Sequence, residues 1–423
     1  MMARQELKPV EIANGVHWVG ALDPDLRMFD LILKTANGTS YNAYVVHGGE
    51  GVAVIDTVKE EFSEIYFSKL EQITSYERIK AVILNHLEPD HAGAVPELMR
   101  RAPHAHIFVS TRGLKLLQAL LKDELENYQY TLTDTGDVCS LGERTLSFIN
   151  TPYLHWPDTQ CTYLEDEKLL FSGDVFGCHF CDDRLYNDLV GDFRFSFEYY
   201  FKHIMRPFKR WVLEAMDKIE PLQPRLIAPA HGPILRDNPL EYVKSYRTLS
   251  NSYLTKKIDA REKSLLIFYM SAYGATADMA KHIHAGASEI EGVRVSLYDL
   301  QGGEIEPFID LIEGADGLLF GSPTINGDAV KPVWDVLASL ISIETRGKLG
   351  GAFGSYGWSG EAVRMIEDRL RGLKMRVPER GLRMKFHPTE DELEECHAYG
   401  LALAEALAGK AKPKELDFAD LQM

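Results

Sequence analysis

Six consecutive residues, His86-Leu87-Glu88-Pro89-Asp90-His91, hold two imidazoles and two carboxylates. They follow the apolar run Ile79-Lys80-Ala81-Val82-Ile83-Leu84. That run reads as a buried strand, which Pro89 keeps from continuing because it has no backbone N–H to donate. A ligand-rich segment at a strand end is where an α/β sheet carries its chemistry. Imidazole mixed with carboxylate suits a harder, redox-active ion better than an all-His or Cys-rich set does.

Three further donors stand in matching positions. His155 lies in Thr151-Pro152-Tyr153-Leu154-His155-Trp156-Pro157-Asp158. Asp174 follows Leu169-Leu170-Phe171-Ser172-Gly173, and His231 follows Leu226-Ile227-Ala228-Pro229-Ala230. Each closes a short apolar segment beside Gly or Pro, the way a sheet presents ligands from several strand ends to one cleft. Zinc is redox-inert. Three carboxylates with four imidazoles neutralise much of the charge of two metals and favour iron or manganese in two oxidation states.

This ordered series resembles the metallo-β-lactamase superfamily, with Glu88 where that signature has its second His. In this it is similar to the flavodiiron proteins, in which a non-haem diiron centre replaces zinc. The resemblance implies an α/β chain whose N-terminal domain is a metallo-β-lactamase-like αββα sandwich. It assigns His86, Glu88, His155 and a bridging Asp174 to one iron, and Asp90, His91, Asp174 and His231 to the other. The position of His91 is a ligand in some members and is turned away, with water, in others. A shared carboxylate holds two metals roughly 3.5–4 Å apart, close enough for both to meet one diatomic molecule.

At 423 residues the chain is comfortable for two domains. Its net charge of −17 argues against nucleic acid as a partner, while leaving room for a small protein donor on a local basic patch. No apolar stretch reaches membrane-spanning length and the N-terminus lacks a signal-peptide core, so a cytoplasmic protein that is not membrane-bound is expected. Five cysteines form no disulfide framework. Cys178-His179-Phe180-Cys181 has a redox-dithiol spacing, but structural or incidental cysteines are the better reading.

Composition turns polar near 251–260, which places a boundary between residues 1–258 and 259–423. The strand-like Ser264–Tyr269 then leads into Ser271-Ala272-Tyr273-Gly274-Ala275-Thr276 and a helical pattern. Backbone amides and the Ser271 and Thr276 hydroxyls can converge there on a phosphate at a helix N-terminus. Two more strands lead into Pro323-Thr324-Ile325-Asn326 and Ser355-Tyr356-Gly357-Trp358-Ser359-Gly360. Thr324 and Asn326 can read the edge of an isoalloxazine, and Tyr356 or Trp358 can stack on its face, unless these aromatics are core or interface residues. Together the loops resemble a flavodoxin-like doubly wound parallel sheet that binds FMN. No Gly-x-Gly-x-x-Gly follows a strand, so direct NAD binding is not expected. Lys410 to Met423 reads as a polar tail.

Both halves in this order resemble an A-type flavodiiron protein, with two non-haem irons and one FMN per chain. The resemblance implies reduction of O2 to water, or of NO to N2O, with electrons from rubredoxin or another small carrier. It also implies a head-to-tail homodimer, or a dimer of such dimers. A Tyr near the pocket makes Tyr199 and Tyr200 candidate proton donors, although both stand in an aromatic segment where packing is the plainer role. The alternatives are a deazaflavin-dependent oxidase, and a zinc hydrolase carrying a flavodoxin module. Glu88 in place of His weighs against the hydrolase.

Overall fold

In the computed structural model, which describes residues 8–29, 33–255, 262–302 and 306–409, the apolar run is the strand Ile79–Leu84. It lies within a seven-stranded sheet whose strands neighbour one another in chain order: Val10–Ala13, Val16–Trp18, Tyr44–Gly48, Gly51–Ile55, Ile79–Leu84, His106–Ser110 and Tyr130–Thr133. The first pairings are antiparallel, and those from Gly51–Ile55 onward are parallel. Pro89 is not the terminator, since the strand ends at Leu84. Instead it opens a one-turn helix, Pro89–Ala92. Its fixed φ suits the first helical position and its missing N–H costs nothing there.

A second sheet of five strands runs Val138–Ser140, Thr145–Asn150, Gln160–Leu164, Leu169–Gly173 and Leu226–Pro229. Strand alternation explains why the two sheets stack. Ala53, Ile55, Ala81 and Ile83 point inward and pack with Phe148, Phe171 and Ala228 between the sheets. Val52, Val54 and Val82 point outward beneath the helix Ser63–Ile73, meeting its Tyr66, Phe67 and Leu70. The outer face of the second sheet is covered by Lys209–Ile219. Its buried Val212, Ala215, Met216 and Ile219 follow the three-and-four spacing of one helix face. Val212, Met216 and Ile219 each contribute roughly 1.5–3 kcal/mol on burial. The result is the expected αββα sandwich.

The chain divides into two units, Met1–Leu254 and Thr255–Met423. The boundary expected at 258/259 and the polar tail from Lys410 lie outside the described residues. The second unit holds five parallel strands: Lys263–Tyr269, Val293–Asp299, Gly317–Gly321, Leu349–Tyr356 and Leu382–Lys385. Numbered by chain order, they lie side by side as 2-1-3-4-5, the flavodoxin-like arrangement. One face packs on Ala275–Ser288 and Glu390–Leu407, the other on Lys331–Ser339 and Glu361–Gly372. Thr389 and Glu392 form a reciprocal capping box that fixes where the last of these helices begins. Among the described residues no helix is long and apolar enough to cross a membrane.

Candidate functional site

Strand ends deliver three of the seven donors directly. His86 stands just beyond Leu84, Asp174 follows Gly173, and His231 comes shortly after Pro229. His155 comes from the loop joining Thr145–Asn150 to Gln160–Leu164. Glu88 precedes the Pro89–Ala92 turn, and Asp90 and His91 lie on it.

These side chains form two groups, His86 with Glu88, His155 and Asp174, and Asp90 with His91 and His231. In the first, Glu88 Oε2 lies 3.1 Å from His86 Nε2 and 3.0 Å from His155 Nε2. In the second, Asp90 Oδ2 lies 3.0 Å from His231 Nε2, and Asp90 Oδ1 lies 3.4 Å from His91 Nε2. Asp174 joins them. Its Oδ2 is 3.6 Å from His86 and 3.4 Å from His155, while its Oδ1 is 3.2 Å from His91 and 3.7 Å from His231.

The spacing fits metal better than it fits hydrogen bonding. Ligand atoms at roughly 2.0–2.2 Å from an ion stand roughly 3.0–3.4 Å from their neighbours in a tetrahedral or octahedral shell. Asp90 Oδ1 and Oδ2, His91 Nδ1 and Nε2, and Asp174 Oδ1 are all buried without a hydrogen bond. His91 and Asp174 are close, but their alignment is not that of a hydrogen bond. Each such orphan costs about 1–3 kcal/mol. Cations facing the Asp90 and Asp174 oxygens and His91 Nε2 remove most of that cost, so these residues fit a two-metal centre.

Among protein groups alone the charges are strongly coupled. Burial pushes the His86 imidazole down, but the Asp158 and Glu88 carboxylates outweigh it and raise its pKa to about 10. Burial likewise opposes His155 and His91, which nearby carboxylates raise to about 10 and about 9. Burial would raise Asp174 and Glu88, yet the surrounding imidazoles hold both well below the usual carboxylate range.

Several supporting residues were not foreseen. Asp158 accepts from His86 Nδ1 at 3.0 Å and from the Leu87 N–H at 2.8 Å, which leaves the Nε2 of His86 free to ligate. Asp56, in left-handed backbone with φ 54°, accepts from the Asn85 N–H at 2.7 Å and pins the start of the ligand loop. His231 Nδ1 donates to the Ser40 carbonyl at 2.6 Å. His179 is buried, with its Nδ1 3.0 Å from Thr39 Oγ1 and its ring 5.1 Å from those of His231 and Tyr200. The two candidate tyrosines separate. Tyr200 is buried, with its ring 6.3 Å from that of His231, while Tyr199 stacks against His203 and Phe195. All five cysteines are free thiols, and burial raises Cys178 above the ordinary range and Cys181 to about 12.

In the second unit the three predicted loops meet at the C-terminal ends of neighbouring strands. The first loop is tied to the second by Met270 N–H donating to the Gly321 carbonyl, and the second to the third by Ser322 N–H donating to that of Phe353, both at 3.0 Å. Ser271 Oγ accepts from the N–H groups of Gly274 at 3.1 Å and Ala277 at 3.2 Å. Gly274, at φ +90°, makes the turn into the helix that begins at Ala275, a conformation that disfavours any Cβ. Thr276 and Ser355 hydroxyls lie 2.8 Å apart and are buried. Beyond the buried Pro323, Thr324 and Ile325 pair with Asp328 and Ala329 around an Asn326-Gly327 turn with positive φ at both residues. Tyr356 is half-buried against Gly360, where a Cβ would stand 3.0 Å from its ring. Trp358 is 97% exposed and Tyr273 is 89% exposed, so neither is a core residue. Ala272 and Gly357 are exposed and Ser359 is half-buried.

Comparison with known proteins agrees with both units. A family model for ODP family beta lactamase matches residues 39–232, and one for flavodoxin matches residues 267–400. The type A flavoprotein fprA of Rhodobacter capsulatus is 62% identical, over 98% of this chain and 95% of its own length. Flavo-diiron protein FprA2 of Clostridium acetobutylicum is 35% identical over 94% of this chain and 99% of its own. A nitric oxide reductase of Moorella thermoacetica is 34% identical over 95% of this chain and 99% of its own. Among solved structures, rubredoxin oxygen:oxidoreductase from Desulfovibrio gigas superposes with a TM-score of 0.63 at 29% identity, covering 95% of this chain and 99% of that one. With a two-group ligand cluster, a 2-1-3-4-5 sheet and full-length relatives of this kind, the chain belongs to the flavodiiron family of type A flavoproteins.

Proposed function

We propose that this protein reduces O2 to water, NO to N2O, or both, at a diiron centre, with electrons relayed by FMN from a small external carrier. One observation carries the reading: a single buried carboxylate, Asp174, turns one oxygen to each of two ligand groups. The names of the Moorella and Desulfovibrio relatives support NO and O2 as substrates and rubredoxin as a carrier. When bound, the irons supply gas binding and redox capacity, and FMN supplies electrons singly or in pairs.

The chain's own residues then have separate tasks. His86, Glu88, His155 and Asp174 hold one iron, and Asp90, His91, His231 and Asp174 hold the other. Asp158 fixes the ring of His86. The ligands are buried apart from His155, whose side chain is 18% exposed and marks the open side of the centre. Tyr200, rather than Tyr199, keeps a proton beside the pocket. Burial and the neighbouring carboxylates push its phenol well above the ordinary range, so it remains a hydrogen-bond donor. Ser271, Thr276 and the amides around Gly274 take the FMN phosphate, while Tyr356 and Trp358 flank the ring. The family resemblance adds a head-to-tail homodimer in the cytoplasm, which sedimentation and cell fractionation test.

Iron, zinc and FMN per chain, followed by anaerobic NO and aerobic O2 consumption with a reduced carrier, test the reading as a whole. Iron and FMN with turnover of either gas supports it. A zinc-loaded chain, after growth with ample iron, that consumes neither gas overturns it. Thr276→Ala is expected to weaken FMN roughly ten- to hundredfold, the value of one hydrogen bond to a charged group, with iron content unchanged. Fluorescence titration of the apoprotein measures this, and an unaltered affinity moves the phosphate site elsewhere.

A further inference from the structure

The chain is strongly acidic, with a net charge of −17, yet its charge is unevenly spread. Between Glu361 and Lys385 there are eight Lys or Arg against four Asp or Glu, so the remainder is more acidic than the total implies. The structure gathers part of this excess at one place. Arg364, Arg371, Arg380 and Arg383 line a cleft of about 440 Å³ between the helix Glu361–Gly372 and the edge strand Leu382–Lys385.

Two of the four acidic residues of this segment are already engaged, while Glu361 and Glu379 are exposed and still leave a basic excess. Glu367 is buried and accepts from the Gly381 N–H at 2.6 Å, and Asp368 pairs with Arg371 at 3.1 Å. Arg364 reaches Asp368 only at 3.9 Å and its side chain is 84% exposed. Among the described residues Arg380 and Arg383 have no carboxylate partner within the 4.0 Å of an ion pair. Exposed, unneutralised guanidinium groups are the means by which a protein steers an oppositely charged partner.

The patch adjoins the loop Ser355–Gly360. Arg383 Nη1 donates to the Gly360 carbonyl at 3.5 Å, and Phe386 N–H donates to the Tyr356 carbonyl at 2.8 Å. Phe386 is 67% exposed, and with Trp358 it sets exposed aromatic surface beside the basic edge. A charged rim around an aromatic centre is the composition of a transient protein interface.

We propose that this edge, Arg364, Arg371, Arg380, Arg383 and Lys385 together with Phe386, is the docking surface for an acidic one-electron carrier protein. The inference rests on the reading that Ser355–Gly360 cradles FMN. Elsewhere the chain's negative charge repels such a carrier, and here it is attracted to the flavin's side of the domain. Each docking passes one electron from the carrier, which leaves oxidised, so two dockings supply a pair.

The test uses the FMN-loaded full chain and an oxidised acidic rubredoxin as the probe, with binding measured calorimetrically at low and high ionic strength. The Arg364→Glu/Arg380→Glu double variant spares Arg383, which touches the flavin loop, and Lys115→Glu serves as a reversal on the other unit. The double variant is expected to weaken binding at least about tenfold at low salt and to flatten the salt dependence. FMN content and reduction by dithionite should stay at the wild-type level, and Lys115→Glu should bind like wild type. Equal affinity for wild type and the double variant overturns the proposal, as does tighter binding of a basic cytochrome c. A change of oligomeric state in the double variant also overturns it, assigning the edge to self-association. A chain that holds no FMN fails the functional reading instead, which the flavin assay reports separately.

Discussion

Asp174→Asn is expected to lower bound iron from about two per chain to below one, leave FMN in place, and cut gas reduction at least about a hundredfold. The substitution preserves size, so the αββα core survives. What changes is the second donor atom. An amide offers one oxygen, and its NH2 group presents hydrogens to the other ligand group. His91 and His231 then face a donor at 3.2 and 3.7 Å where a carboxylate oxygen stood. Metal analysis beside a melting curve checks this, and retention of two irons at wild-type turnover would remove Asp174 from its bridging role. Glu88→Ala is milder, since among the described residues the Glu88 carboxylate pairs with His86 and His155, both of one group; it should cost the iron of that group alone.

Loading iron into protein stripped of metal is expected to release about three protons per chain at pH 7, from His86, His91 and His155. Their carboxylate neighbours raise these imidazoles to about 10, 9 and 10, so they are protonated at neutral pH in the stripped protein. Ligation needs the lone pair, so the proton must leave. Affinity therefore rises with pH, by up to tenfold for each proton displaced per pH unit, and levels off above about 9–10. The same shifts fix the sign for stability. In the stripped protein the raised imidazoles stabilise the fold fully below their unfolded value and lose that contribution as pH rises through about 9–10. The depressed carboxylates Glu88 and Asp174 act oppositely, losing theirs as pH falls into the acid range. A dye-coupled titration in weak buffer reads the protons directly. Iron uptake with none released would mean that these imidazoles are not held protonated by their carboxylate neighbours in the stripped protein.

What could be read from the sequence was what depends on position along a strand. An apolar run followed by His, Asp or Glu locates a donor at a strand end, and that rule found His86, Asp174 and His231 without knowledge of tertiary contacts. The three loops of the second unit were legible for the same reason, since each follows a parallel strand. Orientation across space was not legible. Asp158 looks like any acidic residue after a proline, and only folding brings it to His86, the residue 72 positions earlier. His179 stands in a Cys-x-x-Cys spacing, a pattern about sulfur that says nothing of where the imidazole between them points, which is toward His231. Tyr199 and Tyr200 differ by about 100° around a helix, and no local pattern says which side faces the centre. Pro89 is ambiguous in the same way, because the sequence does not say whether a proline ends one element or begins the next.

Glu88 and Asp90 are separated by a single proline and serve different ligand groups. On the side of the first sheet the gap between the two groups is therefore gauged by a few consecutive backbone bonds, one of them locked in a ring, while Asp174 spans it from a strand end of the second sheet. His155 and His231 arrive from a loop and a strand end of the other sheet, and small shifts between the sheets move those two outer jaws. The inner calliper does not open with them. Changes in core packing between the sheets should thus alter how readily a molecule enters the centre before they alter the separation of the ions it meets there.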